Sequence, residues 1–193
     1  MLSLGIEFST QSVKTVVIDA LEGVVLHTGS FSYDERFPAY KTTGGVLPHG
    51  DPLVRRTSPM MLMEALDHCL ASLAGEGVEL NRVTIVKVDT MQHCTVYTGE
   101  GFSDVVGSLD LSKSLKEQLE PFFTRREAPI WEDRSTVDEA ALLEEALRHH
   151  GGLASLCGNR AEPRFPAAQI LKWAGEAPEE YRATAHIFPL SAF

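Results

Sequence analysis

Between Leu2 and Phe31 the sequence passes through three short apolar stretches broken by two tight polar turns, and few folds accept that pattern. Leu2 to Ile6 and Val13 to Ile18 flank the turn Ser9-Thr10-Gln11-Ser12, which is entered through a single acid, Glu7. Val13, Thr15, Val16, Val17 and Ile18 favour strand, because side chains branched at Cβ fit a pleated surface better than a helical turn. Leu21-Glu22-Gly23 makes the second turn, into Val24-Val25-Leu26-His27 and a third strand ending near Phe31. Strands joined this tightly are antiparallel, since a parallel return needs a crossover of about a dozen residues or more. The chain is therefore expected to begin as a three-strand antiparallel meander with a hydroxyl-rich tip.

Hydroxyls and backbone N–H groups crowded at such a tip can cradle an anion, and an acid closing the first strand can hold a hydrated cation beside it. Taken alone, these residues favour the plainer reading, an ordinary Ser/Thr hairpin turn. No GxxxxGK[ST] string occurs, so this is not a Walker A loop.

Asp34 to Arg56 carries Pro38, Gly44, Gly45, Pro48, Gly50 and Pro52 and reads as a long loop, of the kind compact domains keep for function. Ser58-Pro59 opens a helix with a hydroxyl cap and a proline in the first turn, and Gly75 closes it. Met60, Met63, Leu66, Leu70 and Leu73 recur along it at helical spacing, which predicts one buried face. The strand Val83 to Val88 that follows makes a crossover, hence a mixed sheet. Further on, the sequence predicts a strand at Thr95 to Thr98, a helix over Leu109 to Phe123 capped by Asp110 or Ser112, and a strand at Pro129 to Trp131. A helix from Ser135 to His149, an amphipathic helix from Ala167 to Gly175 and a last strand at Ala185 to Phe188 complete the set. The class is α/β, a mixed sheet flanked by helices, as a single domain over residues 1–193.

A net charge of -10, from 27 acids against 17 Lys and Arg, argues against nucleic acid or an anionic membrane as partner. Cys69, Cys94 and Cys157 are odd in number, far apart and in no CxxC pair, so reduced thiols are expected rather than a disulfide framework or zinc ligands. The opening MLSLGIEF has no basic segment ahead of an apolar one, and no apolar run approaches a membrane span of about 18 residues. A soluble, cytoplasmic protein is the expectation.

In open α/β sheets, ligands gather at the carboxyl ends of the strands. Four sets of polar residues fall there or on the loops that follow: Glu7 with Ser9, Thr10 and Gln11; Gln92 with His93; Asp133; and Arg160 with Arg164. Brought together, they set a hydroxyl-reading histidine, an acid and an arginine beside a phosphate turn, which suits phosphorylation of a polyol. Singly, each has a plainer reading: His93 as a packing residue, Asp133 as part of a helix start with Ser135, and the arginines as solvated loop charges.

Segments spread in order over nearly the whole chain carry a resemblance. GIEFSTQSVK with VVID after it, FPAYKTTGGV (37–46), TSPMMLMEALD (57–67), MQHCTVY (91–97), PIWEDRST (129–136) and CGNRAEPRF (157–165) with AAQI after it resemble the FGGY carbohydrate kinases, and within them the eukaryotic-type xylulose kinase branch. The resemblance implies an actin-like, ribonuclease H-like fold and a kinase that moves the γ-phosphoryl group of ATP to a ketopentose, D-xylulose, with Mg²⁺. Under it, Ser9, Thr10 and Gln11 match the phosphate turn, and Glu7 stands where the family has an aspartate that organises the metal and its waters. His93 and Arg164 match sugar-contacting positions of that branch, and with Gln92 and Asp133 from the strand ends they are the expected sugar-binding residues. The family's catalytic-base aspartate and glycine-rich adenosine motifs have no match in these residues, so no catalytic base is expected here. The implied unit is an amino-terminal kinase domain, inactive without its carboxyl-terminal ATP-binding partner domain and able to self-associate, as a homodimer, through an exposed cleft face.

Two departures stand out. Glu7 is one methylene longer than the family's aspartate, and the glycine-rich loop ahead of the histidine is here Val88-Asp89-Thr90-Met91, with Cys94 after it. They support a rival expectation, a degenerate, non-catalytic sugar-binding or scaffold protein with the same fold.

Overall fold

β1 (Leu2–Phe8), β2 (Ser12–Asp19) and β3 (Val24–Ser32) form the antiparallel meander in the computed structural model, which describes residues 1–193. Leu2, Leu4, Ile6 and Phe8 alternate into the core along β1, joined from β2 by Val13 and Val17. Each such side chain fully buried contributes roughly 1.5–3 kcal/mol. The chain continues through α1 (Tyr33–Arg36), β4 (Arg56–Thr57), α2 (Pro59–Gly75) and β5 (Val83–Thr90). Ser58 caps α2 as its sequence predicts, its hydroxyl accepting the Met61 N–H, and the helix lays Met60, Met61, Met63, Ala65, Cys69 and Leu73 into the core. β5 then returns parallel to β1, giving a mixed sheet of order β3-β2-β1-β5. Its outer edge is unpaired, and Ile85, Val86 and Val88 are exposed on it.

The remainder is β6 (Thr95–Thr98), α3 (Phe102–Val106), α4 (Leu115–Leu119), β7 (Ala128–Pro129), α5 (Val137–Ala146), α6 (Gly152–Cys157), α7 (Pro166–Glu176), α8 (Pro178–Arg182) and β8 (His186–Pro189). Its strands do not extend the main sheet. β6 pairs antiparallel with β8, and β7 with β4, as two small separate sheets.

Two helix boundaries differ from expectation for local reasons. Between 109 and 123 only Leu115–Leu119 is α-helical, and Leu111, placed on the expected apolar face, is 98% exposed. Ser114 starts that helix: its hydroxyl accepts the Glu117 N–H at 3.2 Å and the Glu117 carboxylate accepts the Ser114 N–H at 3.0 Å. Asp110, expected as a cap, instead accepts the N–H and hydroxyl of Ser112 and folds the preceding loop. Ser114→Ala is expected to lower the unfolding free energy by about 1 kcal/mol, the usual worth of a cap, in a urea titration. The second difference is α5, which begins after Thr136 rather than at Ser135, because Ser135 is engaged by Asp133, and which gives way after Ala146 to a tighter 3-10 turn over Arg148–His150.

All three cysteines are unpaired, Cys69 and Cys94 buried and Cys157 exposed. No helix is long and apolar enough to cross a membrane.

Candidate functional site

The parallel neighbours β1 and β5 end together at Phe8 and Thr90, and a groove opens beyond them, lined by Glu7, Ser9, Thr10, Asp89, Thr90, Gln92 and Trp131. Its floor is the hairpin tip. The Ser9 N–H donates to the Ser12 carbonyl at 3.0 Å, the Ser9 hydroxyl to the same oxygen at 2.9 Å, and the Ser12 N–H to Ser9 Oγ at 3.3 Å. With the turn closed in this way, the N–H groups of Thr10 and Gln11 have no acceptor within the chain. Two successive free N–H groups in a tight turn form a concave surface for an anion.

The tip is braced from behind by the segment 37–46, which is a strut and not a free loop. Asp34 accepts the Thr42 hydroxyl at 2.7 Å, the Gly44 N–H at 2.6 Å and the Gly45 N–H at 3.0 Å. Burial pushes the Asp34 carboxyl up, but the hydrogen bonds from Thr42, Gly45 and Gly44 outweigh it and hold the acid below its usual range. Gly44 and Gly45 take φ of +61° and +76°, and a Cβ on Gly45 would lie 1.9 Å from the Thr10 carbonyl oxygen. In a planar trans peptide the carbonyl and the following N–H point opposite ways, so a Thr10 carbonyl held against Gly45 turns the Gln11 N–H away from the strut. From the other side, Trp131 Nε1–H donates to Thr10 Oγ1 at 3.1 Å.

Glu7 pairs with its cross-strand neighbour Lys14 at 3.1 Å, both partly exposed, and Asp89 stands beside it in the parallel register. An exposed pair of this kind is worth about 1 kcal/mol at most and yields readily to a stronger partner. The donors here are all oxygens, from Glu7, Asp89 and the hydroxyls of Ser9, Thr10 and Thr90, a set that fits a hard cation such as Mg²⁺. No three His, Cys, Asp or Glu side chains converge anywhere in the chain, so a bound Mg²⁺ would keep most of its waters, as that ion usually does.

Next to Gln92, His93 has a φ of 60°, a left-handed conformation uncommon for a residue with a side chain. Its ring packs 4.9 Å from that of Phe165, and the Arg164 guanidinium sits 6.0 Å from the same phenyl. Arg164 Nε is buried without a partner. Burial first and the Arg164 charge second depress the His93 pKa, which leaves a neutral imidazole at pH 7 able to both donate to and accept from hydroxyl groups. The loop entering α7 thus brings Arg164 to His93.

Asp133 is elsewhere. It is fully buried, and its carboxylate accepts the Arg55 N–H at 3.0 Å, the Ser135 N–H at 2.9 Å, the Ser135 hydroxyl at 2.7 Å and Gln169 Nε2 at 2.8 Å. Four donors already satisfy it, so it ties β4, the start of α5 and α7 together and does not face a sugar. The side chain of Gln11 is exposed beside Gly44, and its contribution to the tip is its backbone N–H. Arg160 is exposed. Asp89 and Trp131 also line the groove, and the sequence alone did not point to them: the strand register sets Asp89 opposite Glu7 and the fold brings the Trp131 indole to Thr10.

A meander, a crossover helix and a parallel strand that ends beside a phosphate-type turn are the features of an actin-like, ribonuclease H-like fold. Solved xylulose kinases from Rhodospirillum rubrum and Bifidobacterium adolescentis superpose on it with TM-scores of 0.70 and 0.68, at 17% and 19% identity, over 98% and 100% of this chain and 32% of each of theirs. By sequence, the chain is 37% identical over 193 residues to xylulose kinase 2 of Arabidopsis thaliana and 35% identical over 190 residues to the xylulose kinase of Mus musculus. No protein-family model matches. Over its whole length the chain is thus similar to xylulose kinases, which belong to the FGGY carbohydrate kinase family, and it spans 34% of the length of the two curated relatives above.

Proposed function

We propose that these residues form the sugar-reading and phosphate-cradling part of an ATP-dependent carbohydrate kinase that acts on a ketopentose, with D-xylulose as the first choice. The observation that carries this reading is the free Thr10 and Gln11 N–H groups in a groove also lined by Gln92, whose chain neighbour His93 meets Arg164; the first set suits phosphate oxygens and the second sugar hydroxyls. Phosphoryl transfer asks mainly for positioning and charge neutralisation, which is what such groups provide.

In this reading Thr10 and Gln11 donate to nucleotide phosphate oxygens, and Trp131 fixes the Thr10 hydroxyl. Glu7 and Asp89 would hold Mg²⁺ through its waters, a role for which Glu7 would have to give up Lys14. The Mg²⁺–nucleotide, when bound, supplies the phosphoryl group and offsets its charge. His93 and Arg164 hydrogen-bond the acceptor sugar and set its hydroxyl in line. The general base lies outside residues 1–193, so the chain binds but turns over poorly: without a base, about 10²–10⁴ of the rate is lost. A coupled assay of the purified chain with ATP, Mg²⁺ and D-xylulose is expected to show no turnover at ordinary kinase rates, and turnover at such rates would overturn the assignment of the base to another segment.

Glu7 in place of the family's aspartate, already paired to Lys14, favours a second reading in which sugar binding survives and phosphoryl transfer does not. A kinase assay of a longer chain carrying the rest of the enzyme separates the two, since the second reading predicts no transfer there either. Self-association through an exposed cleft face is proposed as well, and light scattering that shows only monomer at high concentration would remove it.

A further inference from the structure

Arg125, on the segment leading into β7, is 2% exposed, yet no acid lies within ion-pair distance of it. Its guanidinium rests against two aromatic rings, 5.0 Å from Tyr97 and 4.9 Å from Trp173, and Nη1 donates to the Tyr97 hydroxyl at 3.1 Å. Nε and Nη2 have no partner. Those two nitrogens form one edge of the guanidinium, the edge whose parallel N–H groups take a carboxylate or phosphate in a side-on, two-bond fork. A buried charge that keeps this edge free is unfavourable by itself and is offset by an anion that supplies both charge and acceptors.

The surroundings fit one. Arg125 lines a cavity of about 350 Å³ with Arg56, Arg126, Trp173, Glu127 and Glu180. Arg56 contributes a second buried, unpartnered Nε while its Nη1 holds Glu127 at 3.2 Å and its Nη2 faces Glu176 at 3.8 Å, and Arg126 is taken by Glu120 at 2.7 Å. Glu180 is the one carboxylate lining the cavity that is in no ion pair, and it opposes an anion there.

From this arrangement we infer that the chain has a second ligand site, separate from the groove at the hairpin tip, which takes a small oxyanion, a phosphate or carboxylate group, on the Nε–Nη2 edge of Arg125. Arg56 is its second donor and Trp173 its wall. The site depends on none of the groups assigned to sugar or nucleotide.

The chain has two tryptophans, so Trp131→Phe leaves Trp173 as the only indole, set against Arg125 and free of signal from the hairpin groove. Inorganic phosphate titrated into W131F at constant ionic strength, with chloride as the balancing anion, is expected to change the Trp173 emission saturably. The response should weaken at least tenfold in W131F/R125M and in W131F/R125K, because lysine keeps the charge but lacks the fork, and tighten in W131F/E180Q. Acetate in a parallel titration tells a carboxylate preference from a phosphate one. If R125M does not fold, R125K carries the comparison, judged first by circular dichroism. A flat emission up to high phosphate, or an equal response in the R125K protein, overturns the site.

Discussion

Gly45→Ala is expected to remove about 2–5 kcal/mol of unfolding free energy and to dislodge the hairpin tip. Two effects add. A φ of +76° is strained for any residue with a Cβ, at roughly 1–2 kcal/mol. The new methyl carbon would also meet the Thr10 carbonyl oxygen at 1.9 Å, and since that neighbour is backbone, relief requires the strut or the turn to move, which adds about 1–3 kcal/mol. For a domain of this size each kcal/mol corresponds to about 2–4 °C, so a fall of about 10 °C in thermal midpoint is expected. Gly50→Ala is the control: with no neighbour within 4 Å and no positive φ, it should stay within about 0.5 kcal/mol of wild type. If the two variants melt alike, Gly45 does not brace the turn.

Asp133→Ala is expected to be as damaging for a different reason. It strands the Arg55 and Ser135 N–H groups and the Gln169 amide in a buried site, and breaking a buried, fully bonded carboxylate typically costs about 3–5 kcal/mol. The same carboxylate gives stability a pH dependence. Burial pushes its pKa up, but the hydrogen bonds from Ser135, Arg55 and Gln169 outweigh that and hold it below the unfolded value of about 3.9. A depressed folded value means that the contribution is complete above the unfolded pKa and fades as the pH falls through it towards the folded one. Urea titrations of wild type and Asp133→Asn should therefore differ most at neutral pH and draw together below about pH 4. A gap that widened on acidification would contradict the assignment.

The meander, the crossover and the hairpin tip were legible because each rests on local chemistry: β-branched runs, a hydroxyl turn, a Ser-Pro helix start. The division into three sheets was not, since β4, β6 and β7 are two to four residues long and wholly or largely buried, with no alternation to read. Asp133 misled for a related reason: an acid two residues before a serine looks the same in sequence whether it faces a ligand or bonds its own loop. His93 and Arg164 were legible as residue types, and the resemblance paired them, but the left-handed backbone at His93 leaves no mark in the sequence. Trp131 read as an ordinary strand residue, and only the fold puts its indole on Thr10.

The central claim, that His93 and Arg164 read a ketopentose beside the phosphate turn, is tested most directly by titration calorimetry with D-xylulose. Saturable heat is expected with the wild-type chain, at least tenfold weaker binding with His93→Ala and with Arg164→Ala, and unchanged unfolding midpoints in both variants. No heat with the wild type, or equal heat in all three proteins, would contradict it.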